Sequence, residues 1–166
     1  HYQYTPNDTF DYDGVNELVL ADLPIAGKTT KVLMQANRNG FFYVLDRSNG
    51  KFISGTQFAR KVNWASGIDK ATGRPIDTPM TAMVRKTEEM KDFVEVWPSA
   101  FGGKNWMPMS YDPARRLVFL NSVDLGMKVK YVKQERPGGP NWYLGLELGG
   151  FVAPEEGRLY QRFHQL

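Results

Sequence analysis

The sequence predicts an all-β fold, a section of a β-propeller, and two observations carry that prediction. Apolar runs are short, rich in Val, Phe, Tyr, Leu and Ile, and broken by Gly, Pro, Asn and Asp. Three segments, YVLDRSNGKFI (43–53), SGIDKATGRPI (66–76) and MSYDPARRLVF (109–119), share an apolar or aromatic lead, an Asp, mostly polar residues, then Gly or Arg and a return to apolar character. Each reads as strand, Asp-initiated turn, strand. The aspartate accepts N–H groups of its own turn, and a glycine four residues on tolerates a left-handed backbone. Repeated hairpins of this kind build propeller blades of about four strands, although any antiparallel sheet with Asp-Gly hairpins carries the same signature. A complete propeller needs at least about four blades of some 40 residues. The 166 residues therefore correspond to a section of about two to four blades.

Taken in order, strands are expected at 16–21, 31–36, 41–46, 51–54, 116–121 and 141–148. The run 41–45 is followed by Asp46-Arg47-Ser48-Asn49-Gly50, whose closing Asn-Gly supplies the positive φ of a hairpin. Residues 77–95 are more polar, and TAMVRKTEEMKDF (81–93) fits a short helix or an exposed loop equally well, since its apolar periodicity is weak. The basic stretch MKVKYVKQERPGG (127–139) reads as a solvated loop, with a docking surface as the alternative.

Composition removes several functions. A formal charge of +3 over 21 basic and 18 acidic residues, with no strongly basic run, argues against nucleic acid. No apolar run approaches the ~20 residues of a membrane span. The absence of cysteine excludes disulfides, thiolate metal sites and cysteine nucleophiles. His1 and His164, the only histidines, stand at opposite ends, against a histidine zinc site or a Ser/His triad.

Three stretches could carry chemistry. NDTFDYDG (7–14) places Asp8, Asp11 and Asp13 within six positions. In an extended chain Asp11 and Asp13 point to one side about 6 to 7 Å apart, with a repulsion on the order of 2 to 3 kcal/mol. If buried, the pair needs a proton or a hard, oxygen-seeking cation of the calcium type; a solvated acidic turn has the same spacing. Asp8 reads as a turn or capping residue. Arg38, between two asparagines before a Gly and an aromatic strand, could project its fork into a cavity or be an ordinary turn arginine. In WPSAFGGKNWMPMSYDP (97–113), Gly102-Gly103 permits close backbone approach, while Lys104, Asn105 and Trp106 supply a cation, an amide and a flat apolar surface suited to a planar polyanionic cofactor. Plain loops and cores use the same residues.

Read jointly, TPNDTFDYDGVNELVLADL, NRNGFFYVLDRSNGKFI, VNWASGIDKATGRPI and WPSAFGGKNWMPMSYDP resemble, in order over about residues 4–148, the methanol and ethanol dehydrogenases that depend on pyrroloquinoline quinone (PQQ). The resemblance fades past Phe151 and makes the chain, 1–166, one partial domain, an internal fragment of an eight-bladed propeller. It implies a periplasmic enzyme oxidising small primary alcohols to aldehydes, with a cytochrome c as electron acceptor, the remaining propeller blades as structural partners, and room for a homodimer. It makes Asp11 the catalytic base and a metal ligand, and Arg38 the donor to the reactive quinone oxygen. Asn105 and Trp106 become PQQ contacts. Asp13 becomes the ligand that marks the lanthanide-dependent branch, where the calcium enzymes have a small residue. Phe10 departs from the family's usual Trp. The family's other ligands, a glutamate and an asparagine, and the vicinal disulfide and tryptophan that sandwich the quinone are expected upstream, so the isolated chain should be inactive. A non-enzymatic propeller scaffold or binding module is the alternative. A calcium-dependent sugar-oxidising quinoprotein is disfavoured, because its site residues differ from the DYDG and GGKNW set.

Overall fold

In the computed structural model, which describes residues 1–86, 90–132, 145–155 and the backbone of 161–165, four consecutive strands make one antiparallel sheet. They are β1 (Val19–Ile25), β2 (Lys28–Ala36), β3 (Phe41–Asp46) and β4 (Phe52–Gln57), side by side in chain order. This is the up-and-down arrangement of a propeller blade. β5 (Ala65–Ile68) and β6 (Pro75–Asp77) form a hairpin that leads into a one-and-a-half-turn helix, α1 (Pro79–Val84). Then come β7 (Val94–Val96), β8 (Ser110–Asp112), β9 (Leu117–Asn121), β10 (Gly126–Tyr131), β11 (Leu146–Val152) and β12 (Gln161–Gln165). They sort into two three-stranded antiparallel sheets, β11-β10-β7 and β12-β9-β8. Among the described residues no helix is long and apolar enough to cross a membrane.

The centre of the first sheet is buried on both faces, while its edge strands β1 and β4 are partly exposed. Along β3, Phe41 and Tyr43 enter a cluster with Trp64, Val96, Met127 and Val129, while Phe42 and Val44 enter a second cluster with Val32, Met34, Val118 and Leu120. Alternation along the strand assigns the two sets to opposite faces. Each such side chain contributes about 1.5 to 3 kcal/mol when fully buried, so β3, with five of six residues buried, is the central element.

The three Asp-initiated hairpins form as β3–β4, β5–β6 and β8–β9. Asp46 accepts the Ser48 N–H (2.8 Å), Asp69 the Thr72 N–H (2.7 Å) and Asp112 the Ala114 N–H (2.9 Å). Four residues after each aspartate the backbone is left-handed: φ is 74° at Gly50, 72° at Gly73 and 56° at Arg116.

Several expectations need correction. The first strand runs 19–25 rather than 16–21. Asn16 is drawn out of it, its amide bonding the Ala36 carbonyl (2.5 Å), and Pro24 is tolerated because β1 is an edge strand. Residues 127–131 of the supposed basic loop belong to β10, the central strand of its sheet, with Met127 and Val129 buried and Lys128 and Lys130 alternating outward, while 133–139 lie outside the described residues. The ambiguous segment does open on a helix, begun earlier than expected at Pro79 with Thr78 as its cap. Of the strand expected at 141–148, residues 141–144 lie outside the described residues, and the observed β11 continues to Val152.

Candidate functional site

The turn that carries the acidic residues is built by Asp8. Its carboxylate accepts the N–H groups of Phe10 (2.9 Å) and Tyr12 (2.5 Å), closing the chain on itself. Asp8 is thus the capping residue the sequence suggests. Burial pushes its carboxyl above the ordinary aspartate range, against the pull of those two N–H groups.

Within this turn Asp11 is left-handed, with φ at 64°, not extended. Asp11 and Asp13 are still brought together, near enough for Asp13 to raise the Asp11 carboxyl. The pair is not buried: the Asp11 side chain is 67% exposed, and Asp13 faces solvent as well. Desolvation, then the neighbouring Asp13 carboxyl, hold the Asp11 carboxyl above its usual range, while Arg38 pulls the other way. A proton or a hard cation between the carboxylates would relieve the pair.

Tyr12 points inward between its two acidic neighbours. Fully buried, it packs on Trp64 and donates its hydroxyl to the Pro98 carbonyl (2.5 Å), pinning the turn to the loop that follows β7. Arg38, in the β2–β3 connection, makes the second tie. Nη1 donates to the Asp13 carbonyl (3.0 Å), Nη2 donates to the Ala100 carbonyl and lies 3.8 Å from an Asp11 oxygen, and the buried Nε has no partner. A guanidinium has five N–H donors, so Arg38 keeps some free after these ties. The chain approaches it closely at Gly102, where φ is 79° and a Cβ would lie 2.6 Å from the Arg38 Cβ. The close approach permitted by Gly102-Gly103 is therefore toward Arg38, and Gly103 N–H also bonds the Arg38 carbonyl (2.8 Å).

Just beyond, Asn105 donates its amide to the Phe101 carbonyl (2.9 Å) and accepts the Trp106 N–H (2.8 Å), which leaves one amide hydrogen unused. Trp106 is 72% exposed and presents its ring. Lys104 supplies no free cation: it is fully buried against Glu17. The five residues expected from the sequence thus lie on three loops: Asp11 and Asp13 on the first, Arg38 on the β2–β3 connection that ties to both others, and Asn105 and Trp106 on the third. Tyr12 and the Lys104–Glu17 pair went unread; an aromatic between two aspartates marks the first, and nothing local marks the second.

A cavity of about 240 Å³ opens beside the turn, lined by Asp8, Asp13, Gly14, Asn37, Thr5 and Tyr12 among others. The paired carboxylates suit a hard, oxygen-seeking ion. Among the described residues no cluster of three or more acidic, histidine or cysteine ligands occurs.

Comparison with known proteins adds independent findings. A family model described as the PQQ glucose/ethanol/alcohol dehydrogenase beta-propeller domain matches residues 1–63. The quinohemoprotein alcohol dehydrogenase ADH IIB of Pseudomonas putida is 48% identical over 120 residues, covering 72% of this chain and 16% of that protein. The crystal structure of the quinohemoprotein alcohol dehydrogenase of Comamonas testosteroni superposes with a TM-score of 0.78 at 39% identity, over 93% of this chain and 23% of that one. A europium-containing methanol dehydrogenase superposes at 0.75 and 32% identity, over 98% of this chain and 27% of that one. The chain spans about a fifth of the length of the curated relatives it matches.

Proposed function

The chain belongs to the PQQ-dependent quinoprotein alcohol dehydrogenases and covers a section of their β-propeller, and from that premise we propose that it carries the base, the quinone-facing arginine and two metal ligands of an enzyme oxidising primary alcohols to aldehydes. The observation that carries this reading is Arg38: one side chain ties the Asp11–Asp13 turn to Ala100, at the start of the loop that carries Asn105 and Trp106.

Asp11 and Asp13 would hold the metal, and Arg38, Asn105 and Trp106 the quinone. When bound, PQQ supplies a hydride-accepting carbonyl and the metal supplies Lewis acidity. The exposed Asp11 carboxylate would take the alcohol's hydroxyl proton at its oxygen, a contribution of about 10²- to 10⁴-fold. The Nη donors of Arg38 that Asp13 and Ala100 leave free would stabilise negative charge developing on a bound quinone's oxygen. The exposed ring of Trp106 gives the planar cofactor an apolar surface. A carboxylate at position 13 favours a trivalent lanthanide, with calcium as the alternative ion, because it adds one negative charge to the site. Periplasmic location and a cytochrome c acceptor belong to the same reading.

The test is a dye-linked alcohol oxidation assay of the intact protein, reconstituted with PQQ and either a lanthanide or calcium. PQQ-dependent turnover with the lanthanide is expected. No turnover with either ion would refute the activity, and turnover with calcium alone would refute the role given to Asp13.

A further inference from the structure

We propose that Lys104 and Glu17 are positioning residues for Asn105 and Trp106, a buried ammonium–carboxylate clamp that fixes both ends of the 104–109 loop. This rests on the reading of Asn105 and Trp106 as PQQ contacts.

The Lys104 side chain is fully buried, and its Nζ donates to Glu17 Oε2 (2.8 Å) and to the Asn105 carbonyl (3.1 Å). The other Glu17 oxygen accepts the Met109 N–H (2.7 Å). One carboxylate on the segment leading into β1 thereby holds the loop at its start, through the lysine, and at its end, directly. The Lys104 carbonyl is anchored as well, by the Asn16 amide (3.4 Å), which also bonds Ala36 at the end of β2. What the clamp orders is then passed along the chain. Lys104 holds the Asn105 backbone, and the Asn105 side chain in turn accepts the Trp106 N–H (2.8 Å).

An ammonium this deep persists only where an opposite charge and hydrogen bonds replace its water. Glu17 and Asn105 provide both. A hydrophobic residue of similar length would fill the space without directing the Asn105 carbonyl, so packing alone does not account for a lysine here. Burial raises the Glu17 carboxyl, and the bonds from Lys104 and Met109 outweigh it, leaving the group below the ordinary glutamate range and charged at neutral pH.

The experiment titrates the apo form of the intact protein with PQQ in the presence of its metal, following the absorbance of the bound quinone, and records amide hydrogen exchange at Met109 without PQQ. Lys104→Met is expected to weaken PQQ binding about tenfold, the range seen when groups supporting ligands are removed. Glu17→Gln should weaken it in the same direction and speed Met109 exchange. Because Lys104 acts through Asn105, Lys104→Met should cost less affinity in an Asn105→Ala background than it does in the wild type. Lys28→Met, on the exposed start of β2, should change nothing. Unchanged affinity in Lys104→Met, or losses that add fully with Asn105→Ala, would overturn the clamp while leaving the PQQ reading intact. Should Lys104→Met fail to fold, unchanged affinity and unchanged Met109 exchange in Glu17→Gln would overturn it. A wild-type protein that binds no PQQ would overturn both.

Discussion

Asp11 combines three properties that a plain acidic turn does not need: a left-handed backbone, a carboxyl raised by the neighbouring Asp13, and an arginine 3.8 Å away. For a non-glycine residue that backbone costs about 1 to 2 kcal/mol, and such strain concentrates at functional positions. Desolvation and the contact with Asp13 raise the Asp11 carboxyl, so in the metal-free protein it should titrate above ordinary aspartates. With the folded value above the unfolded one, its stabilising contribution is complete below the unfolded value and is lost as pH rises through the folded one. Asp13→Asn should move the Asp11 midpoint down, as carboxyl-carbon NMR titration would report. Gly102 is the matching backbone position on the opposite loop. Gly102→Ala should cost about 1 to 3 kcal/mol in urea unfolding, from its positive φ and the collision with Arg38, and should lower activity by displacing that guanidinium.

The Asp-initiated turn shows what the sequence makes legible at the scale of an element. Asp46, Asp69 and Asp112 are each held below the usual range, foremost by a side-chain bond from Ser48, Thr72 and Arg115 respectively, then by backbone N–H groups. Lowered carboxyls stabilise above their unfolded values, and that stability is lost as pH falls through the folded ones. Asp69→Asn should therefore flatten the acid side of the stability–pH curve, measured by urea midpoints from pH 7 down to 3. These turns were readable because their chemistry is local: an aspartate, then a left-handed position four residues later. Arg116 fills that position without glycine, so spacing from the aspartate was the more durable signal. β1 was misplaced because Pro24 looks like a breaker until its edge position is known, and β10 was missed because its Met127/Val129 alternation is short and crowded by lysines. β10 is defined by β7 and β11, which reach it from elsewhere in the chain. The same holds at the site. Asp11, Asp13 and Arg38 announce themselves by type and spacing, whereas Lys104 and Glu17, 87 positions apart, meet only in the fold.

At the scale of the molecule, the centre of the four-stranded sheet is covered on both faces, as a blade is between its neighbours, and the candidate site lies on the loops rather than in the sheets. Rigid strands hold the loops, and Arg38 and Tyr12 lock the loops to each other. The relatives are about five times longer than the stretch matched here, so the proposed chemistry is tested on the intact protein. Its most direct test is a single turnover. The intact protein loaded with PQQ and a lanthanide is mixed with a primary alcohol, and the spectrum of the bound quinone is followed in wild type and Asp11→Asn. Alcohol-dependent reduction in the wild type, slowed about 10²- to 10⁴-fold in Asp11→Asn with PQQ still bound, is the expected result. Equal rates in the two proteins, or a bound quinone that alcohol leaves unchanged, would contradict the assignment of Asp11 as the base.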